Sequence, residues 1–209
     1  VKRFDIVTEA DARVLERGST IVLAPGGHVT PLALDTLRSR RIAVVREDGD
    51  PDAASLAPAS RIARVAVAGD HTSLALKTAL LAHLRARGLA AADLGTHTSD
   101  PVDYPETAAA AARAVARREA DAGIAIDGSG IGSAIAANKI DGIRAAMCPT
   151  AALARYGREH NGINLLALGA ATTSREDALA IVDAFLDTPM RDPRYIRRLA
   201  LIRRLETGA

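Results

Sequence analysis

The sequence predicts an α/β protein whose sheet is mostly parallel and flanked by helices, preceded by a small α/β appendage. From Arg64 onward, short apolar runs alternate with helical stretches, the pattern of successive βα units. Residues 1–60 carry strand and helix signals of their own and end in an acidic, proline-containing stretch. They read as an extension plus linker, leaving 61–209 as the main domain. With 209 residues, 48% of them hydrophobic, the chain can bury a full core.

In the extension, Ser19–Ala24 is a strand candidate and Pro25-Gly26-Gly27 a turn. Thr30 caps a helix with Pro31 in its first position, and Ile42–Val45 is a second strand. The run from Glu47 to Pro58 reads as the linker. The main domain opens with the strand Val65–Gly69 and a helix from Leu74 to Arg87, closed by Gly88. A short strand over Ala91–Gly95, a loop through Asp103-Tyr104-Pro105 and an alanine-rich helix from Glu106 to Glu119 come next. Ala122–Ile126 is a buried strand that runs through Asp127 into a glycine-rich turn and a helix. Ile143–Met147 and Leu165–Leu168 are strands, and Ala151–Glu159, Arg175–Leu186 and Pro193–Leu205 are helices.

Composition excludes several classes. No window holds the eighteen or so apolar residues of a membrane span, and Val1-Lys2-Arg3-Phe4-Asp5 lacks a signal-peptide core, so a cytoplasmic location is expected. The single cysteine, Cys148, rules out an internal disulfide and a thiolate metal cluster, and no histidine pair has ligand spacing, so no metal or cofactor is expected. Arginines crowd the C-terminal helix, but aromatic residues are only 2% of the chain, which speaks against nucleic acid and for a compact anion. The abundance of alanine is read as compositional bias from a high-GC genome.

Ligands of open parallel sheets bind beyond the carboxyl ends of the strands. Asp70-His71, Asp127 with its turn, and His160-Asn161 are expected to share that edge. A histidine beside an acid can bind phosphate or move a proton near neutral pH. Asp70 equally suits a helix cap, and Asn161 a left-handed one. His28, His83 and His97 read as surface or linker residues. The glycines after Asp127 allow close backbone approach to an anion, but Ser133 interrupts the dinucleotide fingerprint and no phosphate-loop Lys-Ser/Thr follows. Arg194 and Arg198, one helical turn apart, form either a solvated basic face or a phosphate clamp.

In order along the chain, Gly69-Asp70-His71, Asp103-Tyr104-Pro105, Gly128-Ser129-Gly130-Ile131-Gly132, Ile135-Ala136-Ala137-Asn138-Lys139, Gly142-Ile143-Arg144-Ala145 and Glu159-His160-Asn161 resemble the type B ribose-5-phosphate isomerase family, which includes galactose-6-phosphate isomerase subunits. The resemblance spans about residues 63–205. It implies a Rossmann-like three-layer sandwich, a homodimer or dimer of dimers with sites between subunits, and metal-free aldose–ketose isomerisation of a sugar phosphate through an enediolate. By position it implies that His71, Arg194 and Arg198 hold the phosphate, and that Asp70, Tyr104, Asn138 and Asn161 line the substrate. It further implies that His160 assists ring opening, Ser129 assists proton transfer, and the N–H groups of Gly128 to Gly132, with Gly130 and Ile131 between, stabilise the enediolate.

Two departures follow from the same resemblance. Relatives carry a cysteine base where this chain has Asp127, or a glutamate where it has Ser133, so Asp127 is the expected base, provided burial raises its pKa. Ala171 stands where relatives often have an arginine, and Cys148 reads as a buried small hydrophobe. The segment Gly27–Ala33 resembles a leader on proteins of bacterial microcompartment operons, implying an assembly or dimerisation role for the extension. A second reading is a non-catalytic sugar-phosphate-binding or scaffolding paralogue that has lost the cysteine base.

Overall fold

The computed structural model describes residues 2–46, 56–190 and 193–207, without the side chains of Pro25, Arg46, Pro193, Arg194 and Thr207. The chain divides into two compact units, Val1–Ser55 and Leu56–Ala209. Most of the expected linker, residues 47–55, lies outside the described residues.

The first unit is β1 (Lys2–Val7), α1 (Glu9–Val14), β2 (Thr20–Val29), α2 (Pro31–Ser39) and β3 (Ala43–Arg46). Its sheet is parallel, in the order β1-β2-β3. Right-handed crossovers advancing in one direction place both helices on one face. Ile21, Leu23, Ala33 and Leu37 form the core of this unit. β1 and α1 add to the elements read from sequence, and Thr8 and Asp11 close a capping box at the start of α1. The expected turn at Pro25–Gly27 is instead a bulge inside one long strand: Phe4 pairs with Leu23 and Ile6 with His28, so β2 bows outward between them.

The second unit runs β4 (Arg64–Gly69), a 3-10 turn (His71–Ser73), α3 (Leu74–Ala86), β5 (Ala90–Asp93), α4 (Tyr104–Ala116) and β6 (Ala122–Asp127). It continues through α5 (Ile131–Ala137), β7 (Ala145–Met147), α6 (Ala151–Asn161), β8 (Leu165–Gly169), α7 (Arg175–Asp187) and α8 (Pro193–Thr207). All five strands are parallel, in the order β5-β4-β6-β8-β7.

Side-chain alternation along the strands separates the two faces. Val65, Val67, Ile124 and Ile126 join a core with Leu80 and Leu84 of α3 and Ile181 and Phe185 of α7. Ala66, Ala68 and Ala125 meet Ala108, Ala111 and Ala112 of α4, all at most 1% exposed. Much of the alanine is therefore packing material: small residues on both surfaces bring α4 close to the sheet, a role beyond compositional bias. The result is a Rossmann-like three-layer sandwich. The chain leaves β4 towards one side of the sheet and β6 towards the other, so their carboxyl ends flank a crevice.

Candidate active site

The β4 end of the crevice is fixed by backbone bonds. Asp70 N–H donates to the Ile126 carbonyl at 3.0 Å, tying the tip of β4 to β6. The Asp70 carboxylate, 6% exposed, accepts from Thr72 N–H at 2.9 Å and from the Thr72 hydroxyl at 2.6 Å, both on one oxygen, and so caps the 3-10 turn. His71 is half-buried, and its Nδ1 accepts from Val102 N–H at 3.3 Å. That bond selects the tautomer with the proton on Nε2, a donor suited to an anion. The Tyr104 ring lies over Gly132, where an added Cβ would stand 2.6 Å from it.

At the β6 end, Asp127 is 4% exposed and turned inward. One carboxylate oxygen accepts from Ser129 N–H at 2.7 Å, Gly130 N–H at 2.6 Å and the Ser129 hydroxyl at 3.3 Å, and the other from Ser133 N–H at 2.7 Å. The turn thus wraps around its own carboxylate. Gly130 takes φ +79, and a Cβ there would stand 2.8 Å from the Leu168 carbonyl carbon, so the turn requires glycine. Burial acts to raise the Asp127 pKa, as expected, but the adjacent Ser133 side chain and the N–H groups of Ser133, Gly130 and Ser129 outweigh it. The carboxyl is held below the usual carboxylate range, opposite to the shift expected of a general base. Ser129 is half-buried and its hydroxyl also accepts from Ile131 N–H at 3.2 Å. Among the described residues the donors to this carboxylate come from Ser129, Gly130 and Ser133, not from Gly128 or Gly132.

Three further residues define the surroundings. Lys77, unremarked in the sequence, is 2% exposed and donates to Asp93 at 2.6 Å and to the Thr96 carbonyl at 2.5 Å. The loop it holds bonds back to Gly69 through the Gly95 carbonyl and Thr96 N–H, so Lys77 braces the strand end that carries Asp70. Asn138 spends its amide on the Ala134 and Ala145 carbonyls and on Ala145 N–H, binding α5 to β7. These bonds make it a strut between elements. Cys148 is 4% exposed, and burial pushes its thiol up to about 11, leaving it protonated at neutral pH.

The remaining expected residues gather elsewhere. His160 and Asn161 end α6, and Arg198 lies on α8 beside Tyr195, whose ring is 4.5 Å from the His160 ring. Gly162, at φ +59, is the left-handed cap, so Asn161 is helical. The expectation of a single shared edge fails for this group. A helix that precedes a parallel strand runs against it and ends at the strand's amino end. Gly123 pairs with Leu165 at the start of β8, whereas Asp127 pairs with Gly169 at its end, and those residues are separated by about 13 Å of strand. Within one chain, His160, Asn161 and Arg198 lie at the opposite edge from Asp70, His71 and Asp127. Arg194 shares the α8 backbone, and its side chain lies outside the described residues. Of the histidines read as surface, His83 bonds Asp183 of α7 at 2.7 Å.

A three-layer parallel α/β sandwich with an anion-suited crevice between β4 and β6 defines the class of protein. Residues 65–202 match the family described as Ribose/Galactose Isomerase. Ribose-5-phosphate isomerase B of Escherichia coli (strain K12) is 41% identical over 143 residues, 68% of this chain and 96% of the relative. The solved Clostridium thermocellum ribose-5-phosphate isomerase B superposes with a TM-score of 0.68 at 40% identity, covering 69% of this chain and 98% of that one. The Mycoplasma genitalium enzyme with bound ribulose 5-phosphate gives 0.67 at 33% identity, covering 70% and 97%. The chain belongs to the Ribose/Galactose Isomerase family.

Proposed function

We propose that this chain isomerises a phosphorylated aldose to its ketose, with ribose 5-phosphate or a close analogue as substrate, and that each active site is assembled from two copies. The observation that supports this reading is the placement, at two edges of one sheet, of residues that the resemblance groups into one site. One edge offers Asp70, His71 and the glycine turn, the other His160, Asn161 and Arg198, with Arg194 one turn earlier on the α8 backbone. A second copy, in a homodimer or dimer of dimers, brings the second set to the first. A groove of about 630 Å³ beside edge strand β7, bordered by Met147, Leu153, Tyr156 and Ile202, supplies apolar surface suited to that contact.

In this scheme His71 Nε2–H and the clamp arginines hold the phosphate, and His160 assists opening of the sugar ring. Asp127 removes the C2 proton, the turn stabilises the enediolate, and the proton returns at C1 while a hydroxyl proton moves from O2 to O1. The hydrogen bonds around Asp127 place a condition on this step. The N–H groups of Ser129 and Gly130, which quiet the carboxylate in the free chain, turn to the developing oxyanion, and their departure restores the carboxylate's basicity. Losing one such oxyanion donor typically costs about 10²–10³ in rate. The isomerase reading rests on the second unit, because the family match covers residues 65–202 and the Escherichia coli relative, matched over 96% of its length, leaves no room for a counterpart of the first.

Incubation with ribose 5-phosphate, allose 6-phosphate, galactose 6-phosphate and tetrose phosphates tests the reading. Ketose formation from at least one is expected, and binding without conversion of any would replace the enzyme with a sugar-phosphate-binding paralogue.

A further inference from the structure

We propose that Tyr195 is a positioning residue that yokes the ring-opening histidine to the phosphate clamp, an inference that rests on the reading of the site given above. Tyr156 and His160 are four residues apart on α6, and Tyr195 and Arg198 three apart on α8, so each pair shares a helix face. The two faces interleave. The Tyr195 ring lies 4.5 Å from the His160 ring at an interplanar angle of 32°, and the Tyr156 ring meets His160 edge-on at 4.9 Å and 75°. The Arg198 guanidinium carbon sits 5.4 Å from the Tyr195 ring centroid. A tyrosine ring is therefore in contact with both groups assigned to the reaction from this edge.

His160 has little else to orient it. Its nearest charged partner is the Glu159 carboxylate at 3.9 Å, and among the described residues no hydrogen bond holds its ring. The α8 face is itself firmly placed. Leu199, 2% exposed, packs at the Gly162 cap, where an added Cβ would stand 3.0 Å from its Cδ1, and Glu206 accepts from Gly142 N–H at 3.2 Å. Tyr195 is thus a fixed wall against which the imidazole rests, and the same ring is a platform for Arg198.

Ring opening breaks the C1–O4 bond, removes the proton of the C1 hydroxyl and delivers one to O4. It precedes proton transfer only for the cyclic aldose. Ribulose 5-phosphate is acyclic, because the oxygen that would close its ring carries the phosphate. Two reactions separate the steps: conversion of ribose 5-phosphate, and deuterium wash-in from D₂O at C1 of ribulose 5-phosphate. Tyr195→Leu is expected to lower kcat for ribose 5-phosphate about tenfold, as loss of an aromatic pair would. It should leave saturated wash-in within about twofold, with KM raised for both sugars as Arg198 loses its platform. Tyr195→Phe, which keeps the ring, should restore both. A Tyr195→Leu protein as fast as wild type on ribose 5-phosphate, one slowed equally in both reactions, or a Tyr195→Phe protein as impaired as Tyr195→Leu would overturn the proposal. A wild-type protein inert in both reactions would instead overturn the reading of the site on which the proposal stands.

Discussion

Replacing Asp127 with asparagine tests whether this side chain organises the turn. The wild-type carboxylate accepts from the N–H groups of Ser129 and Gly130 on one oxygen and of Ser133 on the other. An asparagine amide offers a single acceptor. If it keeps Ser129 and Gly130, its NH₂ faces Ser133 N–H, and one buried donor goes unsatisfied at a cost of about 1–3 kcal/mol. The two retained bonds lose charge assistance, about 1 kcal/mol each, for a total of about 3–5 kcal/mol. For a unit of this size the melting temperature should drop by roughly 10 °C, read by circular dichroism or calorimetry. Turnover should be lost while inorganic phosphate still binds. The pH dependence adds a second readout. The folded Asp127 carboxyl is more acidic than in the unfolded chain, so its stabilisation is complete above the unfolded pKa and is lost as pH falls through the folded one. The gap in stability between wild type and Asp127→Asn should therefore close below about pH 4. A variant that melts within about 2 °C of wild type at neutral pH would show that the turn does not depend on the carboxylate.

Other substitutions probe the surrounding framework. Gly130→Ala should cost at least about 1–2 kcal/mol from the left-handed backbone alone, with further loss from contact at Leu168 and Met147, and should depress turnover more than binding. Lys77→Met leaves Asp93 with the Gly95 N–H alone as a close donor and the Thr96 carbonyl without its ammonium, and should cost about 1–3 kcal/mol in urea unfolding, raising KM through the loosened β4 tip. Cys148→Ala should keep turnover within about twofold. A larger loss would mean that the buried thiol takes part after all.

The sheet was legible because its strands are short apolar runs bounded by turn residues: the strand expected over Val65–Gly69 begins one residue earlier, at Arg64, and Ala122–Asp127 is a strand as read. Other features had signals that went unused. Phe4 and Ile6 alternate with charged residues ahead of the Thr8–Asp11 capping pair, a strand and helix start that the sequence reading passes over. Lys77 falls on the same helical stripe as Ser73, Leu80, Leu81 and Leu84, so its burial follows from spacing, although its partners across the sheet edge do not. Placing His160 beside Asp127 overlooked direction: in a βαβ unit the helix returns to the amino edge before the next strand begins. What the sequence conceals is the turn's inward wrap. Asp127 and the glycines suggest an anion cradle, and only coordinates reveal that the anion already in it is the protein's own carboxylate.

Mixed variants show whether two chains contribute to each site. His71→Ala and Arg198→Ala each remove one phosphate contact from opposite edges and should each lower kcat/KM by about tenfold or more. Co-expressed in equal amounts, half of the dimers pair one variant with the other, and each such dimer holds one untouched site. The mixture should recover about a quarter of the wild-type rate. Activity no higher than that of the two variants assayed separately would show that every site is built within one chain.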